Sequence, residues 1–106
     1  MRVGGVNSSA LATTSDYTNS WHLYALRNAS GSAQLYIDGV AVGSAVASGA
    51  STLTTSWNYG KNGASSAYDK TVFDEVRLSD TARSADWILA EYNNQSNPST
   101  FYSIAP

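Results

Sequence analysis

Residues 71–84, Thr-Val-Phe-Asp-Glu-Val-Arg-Leu-Ser-Asp-Thr-Ala-Arg-Ser, constrain the fold more than any other stretch, because a strand pattern runs directly into a helix start signal. Val72, Asp74, Val76 and Leu78 fall on one face of an extended chain, and Phe73, Glu75 and Arg77 on the other. This alternation predicts a buried central strand. Asp74 then sits among aliphatics, where an ionised carboxylate is costly unless hydrogen bonds or an opposite charge compensate it. It is either an internal structural anchor or a ligand, and structural networks perturb acids without any function often enough to favour the anchor.

Downstream, Ser84 precedes Ala85-Asp86-Trp87, a start signal with an acid in the first turn. Trp87, Ile88, Glu91 and Tyr92 recur at helical spacing, which predicts one face packed on a sheet. Asn93-Asn94 is expected to end the helix, Pro98 to prevent its resumption, and Phe101 to Ile104 to form a closing strand.

Upstream, the chain reads as short strands and turns. Arg2 to Val6 and Ala10 to Thr14 are expected strands about a turn at Asn7-Ser8-Ser9. Trp21 to Arg27 alternates Trp21, Leu23 and Ala25 against His22, Tyr24 and Leu26, a strand covered on both faces. Asn28 to Ser32 is a hairpin loop, Ala33 to Ile37 returns, and Asp38-Gly39 makes a tight turn into Val40 to Ser44, because both turn residues tolerate positive φ. Residues 45–51 are small and uninformative, Thr52 to Tyr59 is a further strand, and Lys61 to Ala67 is a loop. About seven short strands with turns every 8 to 12 residues suggest an antiparallel sandwich or barrel.

Composition narrows the partners. At 106 residues the chain is one domain with one modest core. With 13% charged residues and a net charge of −2 it has no basic patch for a phosphate backbone, so no nucleic-acid partner is expected. No apolar run is long enough to insert in a membrane, and no export signal is read at the N terminus. The absence of cysteine removes disulfide and thiolate chemistry. Seven Tyr and three Trp on an otherwise Ser-, Thr-, Asn- and Gly-rich chain suit contact with neutral polymers.

Trp21-His22 opening a strand, Leu35-Tyr36-Ile37-Asp38-Gly39 ending a hairpin, and Phe73 to Ser79 before Ala82-Arg83-Ser84-Ala85-Asp86-Trp87-Ile88 resemble the C-terminal part of laminin G-like, concanavalin A-like jelly-roll domains. The run Arg83 to Gln95 resembles the last segment of bacterial and archaeal members, which occur in large secreted or surface proteins. The resemblance runs from about Trp21 to Tyr102. It implies an all-β, antiparallel β-sandwich of jelly-roll type with one short C-terminal helix, and an extracellular or cell-surface location. Only about 20 residues precede Trp21, so the N-terminal half-sheet is short or missing. A reduced sandwich, a fragment of a longer protein, or two copies completing each other would each account for this. Self-association is the expectation, since open sheet edges and uncovered apolar faces are hazards.

Catalysis has little support in the residues. Glycoside hydrolysis needs two carboxylates facing one cleft, about 5 to 9.5 Å apart depending on stereochemistry. Acids share a strand face at i and i+2, whereas Asp74 and Glu75 are adjacent, and Glu75 has Arg77 as its i+2 neighbour. The single His22 reads as a hydrogen-bonded structural histidine rather than a general base. The resemblance implies that a calcium site of loop aspartates and backbone carbonyls is an option, with Asp38 and Asp69 the candidate ligands and Asp16 a further loop acid. For binding, sugar faces stack on Trp and Tyr while hydroxyls need polar partners. Trp57, Asn58, Tyr59 and Asn62, with Tyr68, supply both kinds, although Trp57 and Tyr59 as alternate strand residues suit a core equally well. Tyr24 and Tyr36 form either a second patch or a cross-strand aromatic pair. The reading is a noncatalytic, lectin-like carbohydrate-binding module. Its alternatives are an assembly or adhesion module with an apolar contact face, and a small glycan-active hydrolase.

Overall fold

The computed structural model describes residues 2–3, 6–7, 19–48, 68, 72–101 and 104. Two-residue strands β1 (Arg2–Val3) and β2 (Val6–Asn7) pair antiparallel, with Arg2 opposite Asn7 and Val3 opposite Val6. Asn7 therefore pairs where the sequence pattern suggests a turn. The expected strands at Ala10 to Thr14 and Thr52 to Tyr59, and the loop at Lys61 to Ala67, lie outside the described residues.

The main sheet is an antiparallel meander of β3 (Tyr24–Ala29), β4 (Ser32–Ile37) and β5 (Val40–Ala47), in that order. Its two connections are two-residue turns with both residues at positive φ, Ser30 at 51° and Gly31 at 77°, then Asp38 at 53° and Gly39 at 79°. That backbone twist matches the right-handed twist of the flanking strands and locks the register. Cross-strand partners share a face, so Ala33, Leu35 and Ile37 of β4 lie with Leu26 of β3 and with Val42 and Val46 of β5. These residues form the core cluster. Burying an aliphatic side chain of this size contributes about 1.5–3 kcal/mol. Tyr36 is buried on the opposite face, so the central strand is covered on both sides.

β5 runs three residues past the expected Ser44, and it does so through an irregularity. Ala33 faces Val46 and Leu35 faces Val42, so Gly43, Ser44 and Ala45 together oppose Gln34. The Gln34 amide spans this bulge, its Nε2 donating to the carbonyls of Leu35 and Val42, each at 3.0 Å. Gly43 at φ 66° makes the local bend possible.

Helix α1 (Ala85–Ser96) starts where the sequence predicts. The Ser84 hydroxyl accepts from the Trp87 N–H at 3.1 Å, satisfying an otherwise orphaned donor. The helix continues through Asn93-Asn94, which only weakly disfavour helix, and stops at Asn97, whose N–H donates to the Asn93 carbonyl. Pro98 does not prevent a new helix. It opens the short α2 (Pro98–Phe101), since a missing N–H costs nothing at a first helical position. Phe101 is thus helical and not the start of a closing strand, and Ile104 has no strand assignment.

The larger correction concerns residues 72–79. They form no strand among the described residues, and Val72, Phe73, Val76 and Leu78 are all more than half exposed. Asp74 is exposed too, so it is not the buried anchor that the alternation predicts. Glu75 sits at φ 50°, which interrupts the extended geometry. A period-2 pattern states how a segment would be buried once paired; it does not supply the neighbour. The described residues accordingly provide one three-stranded sheet, a short strand pair and two helices, α1 and the short α2, without completing a two-layer sandwich.

Candidate functional site

Asp38 is the residue on which the hairpin and the entry to β3 converge. Its N–H donates to the Leu23 carbonyl at 2.9 Å, and its Oδ1 accepts from the Leu23 N–H at 3.0 Å. Its Oδ2 lies 2.6 Å from His22 Nδ1. Pairing between the chains therefore continues one step past the last ladder pair, Tyr24 with Ile37, with the carboxylate standing in for a backbone carbonyl. Both oxygens of Asp38 are engaged within the protein. Among the described residues, no three His, Cys, Asp or Glu side chains gather closely enough to hold a metal ion.

His22 Nε2 lies 2.7 Å from Ser20 Oγ, so hydroxyl, imidazole and carboxylate stand in line. The order is that of a nucleophilic triad, in which the carboxylate fixes the ring tautomer and the far nitrogen takes a hydroxyl proton. Placement argues for a structural role instead. Ser20 is exposed and only two residues from His22, while Asp38 is committed through its N–H and Oδ1 to fastening Leu23.

A groove runs along α1. Trp87, Ala90, Glu91 and Asn94 recur at i, i+3, i+4 and i+7 and so share one helical face, and Arg77 closes the groove from the exposed segment. Arg77 holds two carboxylates at once, donating through Nη2 to Glu75 Oε2 at 3.2 Å and through Nη1 to Glu91 Oε1. The Arg83 guanidinium carbon stands 5.1 Å from the centre of the Trp87 ring, a cation–π distance. Trp87 nevertheless keeps 43% of its surface exposed. Periodicity assigns Trp87 to the packed face, but Ile88 is the buried residue of α1, while Leu89 and Tyr92 close on the β4–β5 turn. The groove thus combines an indole face, a carboxylate, a guanidinium and an amide, groups that can stack on a sugar ring and bond its hydroxyls.

Of the binding residues expected from sequence, Trp57, Asn58, Tyr59 and Asn62 lie outside the described residues, as do Asp69 and Asp16 among the candidate calcium ligands. Tyr68 is described and exposed. The Tyr24–Tyr36 pairing is excluded by the register. Tyr24 faces Ile37 and Tyr36 faces Ala25, so the two rings project from opposite faces of the sheet, one exposed and one buried.

An antiparallel meander with two tight turns, entered at Trp21-His22, turned at Asp38-Gly39 and followed by a capped helix, defines an antiparallel β-sheet domain with a C-terminal helix. The chain belongs to the concanavalin A-like lectin/glucanases superfamily, whose laminin G family model matches residues 1–89. Among solved structures, it is similar to residues 221–444 of an S-layer domain-containing protein from Clostridium thermocellum, with 22% identity and a TM-score of 0.64. The match covers 76% of this chain and 43% of that one, so this chain spans less than half the length of the solved structure. No curated protein matches the sequence.

Proposed function

We propose that this chain is a noncatalytic carbohydrate-binding module of a cell-surface protein, with the α1 groove as a sugar-binding surface. The observation that carries the reading is the exposed Trp87 ring beside Glu91, Arg77 and Asn94 in one groove. Stacking of a pyranose face on indole, with hydroxyls bonded to an ion pair and an amide, is the usual division of labour in sugar sites. Membership of a superfamily described by its lectins and glucanases supports a glycan ligand. The S-layer domain-containing neighbour supports a place at the cell surface.

The test is retention of the chain on a panel of soluble and insoluble polysaccharides, with and without a calcium chelator, beside a Trp87→Ala variant. The expected result is retention on one polymer class, lost in the variant while its melting temperature stays close to that of the parent. Retention unaffected by Trp87→Ala moves the site away from α1, with Trp57 and Tyr59 the next residues to substitute. Chelator sensitivity would bring in calcium and Asp69. A folded chain retained on no polymer overturns the glycan reading.

A further inference from the structure

The groove leaves residues 72–79 unexplained. Val72, Phe73, Val76 and Leu78 are 79%, 54%, 51% and 53% exposed, and the backbone of this segment makes no bond to the backbone of another described residue. Its side chains have strand alternation, yet it lies open, with Glu75 at φ 50°. An exposed apolar segment of strand pattern is a template for another strand.

We infer that this segment is a self-association surface and that its occupant is the same segment of a second copy, paired antiparallel about Val76. The charge pattern selects the occupant and the register. When Val76 faces Val76 of the second copy, Glu75 of each chain faces Arg77 of the other, and two opposite-charge pairs flank the centre. Moving the centre one residue earlier sets Glu75 against Glu75; one residue later sets Arg77 against Arg77. Parallel pairing in register sets both like pairs together. Only the two-fold antiparallel arrangement about Val76 satisfies Glu75-Val76-Arg77, as an isologous contact requires. Phe73 then lies on the charged face opposite Ser79, and Val76 is flanked on the other face by Leu78 opposite Asp74, whose carboxylate stays in water as it does in one copy. Pairing would also move Glu75 from the left-handed region, disfavoured for residues with a side chain, into extended geometry. This association does not rest on the glycan reading, but it draws on Arg77, which within one copy bonds Glu75 and Glu91 and lines the α1 groove, so pairing exchanges the Glu75 contact of each copy for that of its partner.

The test uses the full chain in sedimentation equilibrium, with the variants Glu75→Arg and Arg77→Glu. The parent is expected at twice the monomer mass at tens of micromolar. Each variant alone is expected to dimerise at least about tenfold more weakly, because like charges then face each other. An equimolar mixture of the two variants should form a heterodimer. The guanidinium introduced by Glu75→Arg in one copy then faces the carboxylate introduced by Arg77→Glu in the other, and the unchanged Arg77 of the first faces the unchanged Glu75 of the second. A parent that stays monomeric, variants that dimerise like the parent, or a mixture that fails to pair would each overturn the inference. Arg77→Glu also breaks the Glu91 contact, so hydrogen exchange on the parent provides a second readout. Protection of residues 72–79 must rise with protein concentration. Protection that is independent of concentration, or that rises only with added polysaccharide, overturns the pairing.

Discussion

His22 Nδ1 and Asp38 Oδ2 stand 2.6 Å apart across sixteen residues of sequence, and the other Asp38 oxygen caps the Leu23 N–H. One carboxylate therefore fastens the entrance of β3 to the exit of β4. Asp38→Ala removes both acceptors and places alanine at φ 53°. A loss of about 2–4 kcal/mol in urea unfolding is expected from the uncapped donors and the backbone conformation together. Asp38→Asn, which tolerates that φ and keeps one acceptor, should lose about half as much.

Gly39 is held by geometry on two counts. Its φ is 79°, and a methyl group there would come 2.8 Å from Leu89 Cδ1 and 3.0 Å from Leu89 Cα. Gly39→Ala should destabilise by well over about 1 kcal/mol, because the turn and the helix contact are both disturbed. Gly31→Ala shares the positive φ but would press only on the Ser48 carbonyl, at 3.2 Å. Thermal melts of the two variants should rank Gly39→Ala as the more damaging.

The bulge in β5 depends on one amide. Gln34→Leu leaves the bulge-spanning bonds to the Leu35 and Val42 carbonyls unmade, and should cost about 1–3 kcal/mol in chemical denaturation. Gln34→Glu should be no better, since an ionised carboxylate cannot donate to either carbonyl.

Ser84→Ala removes the acceptor for the Trp87 N–H and should cost about 1 kcal/mol. Ser84→Asp should recover most of this, because its carboxylate accepts the same bond and favours the positive end of the helix. Both effects are measurable as shifts in the urea midpoint.

The parts of the fold legible in the sequence are those specified by neighbouring residues. Asp38-Gly39 announces its turn because few pairs tolerate two positive φ values, and Ser84 announces a helix because its hydroxyl meets an orphaned N–H. His22 reads as structural, and its partner proves to be Asp38. What local pattern could not supply was the identity of a distant neighbour. The alternation from Val72 to Leu78 is that of a strand, but nothing in it names the strand it pairs with. The α1 groove was hidden for the same reason. Trp87, Glu91 and Asn94 share a helical face, a signal available in their i, i+4, i+7 spacing, yet Arg77 reaches Glu91 from fourteen residues away. Tyr24 and Tyr36 show that the exact register, which alternation does not set, decides on which side of the sheet each ring stands.

The turn at Asp38-Gly39 also bears on how the protein ages. In an Asp-Gly sequence, the following amide nitrogen attacks the protonated side-chain carboxyl with unusual ease, since glycine leaves the approach open; the carboxyl C–OH bond breaks, water leaves, and the succinimide formed takes water back on hydrolysis to give largely isoaspartate. Such a product adds a methylene to the main chain and would ruin a two-residue turn. Here the carboxylate is tethered by His22 and the Leu23 N–H, so its carbon is restrained from swinging toward the Gly39 nitrogen. The contact that fastens the hairpin also guards its most perishable peptide bond. Loosening the His22 tether should be read as a shorter chemical lifetime as well as a lower melting point.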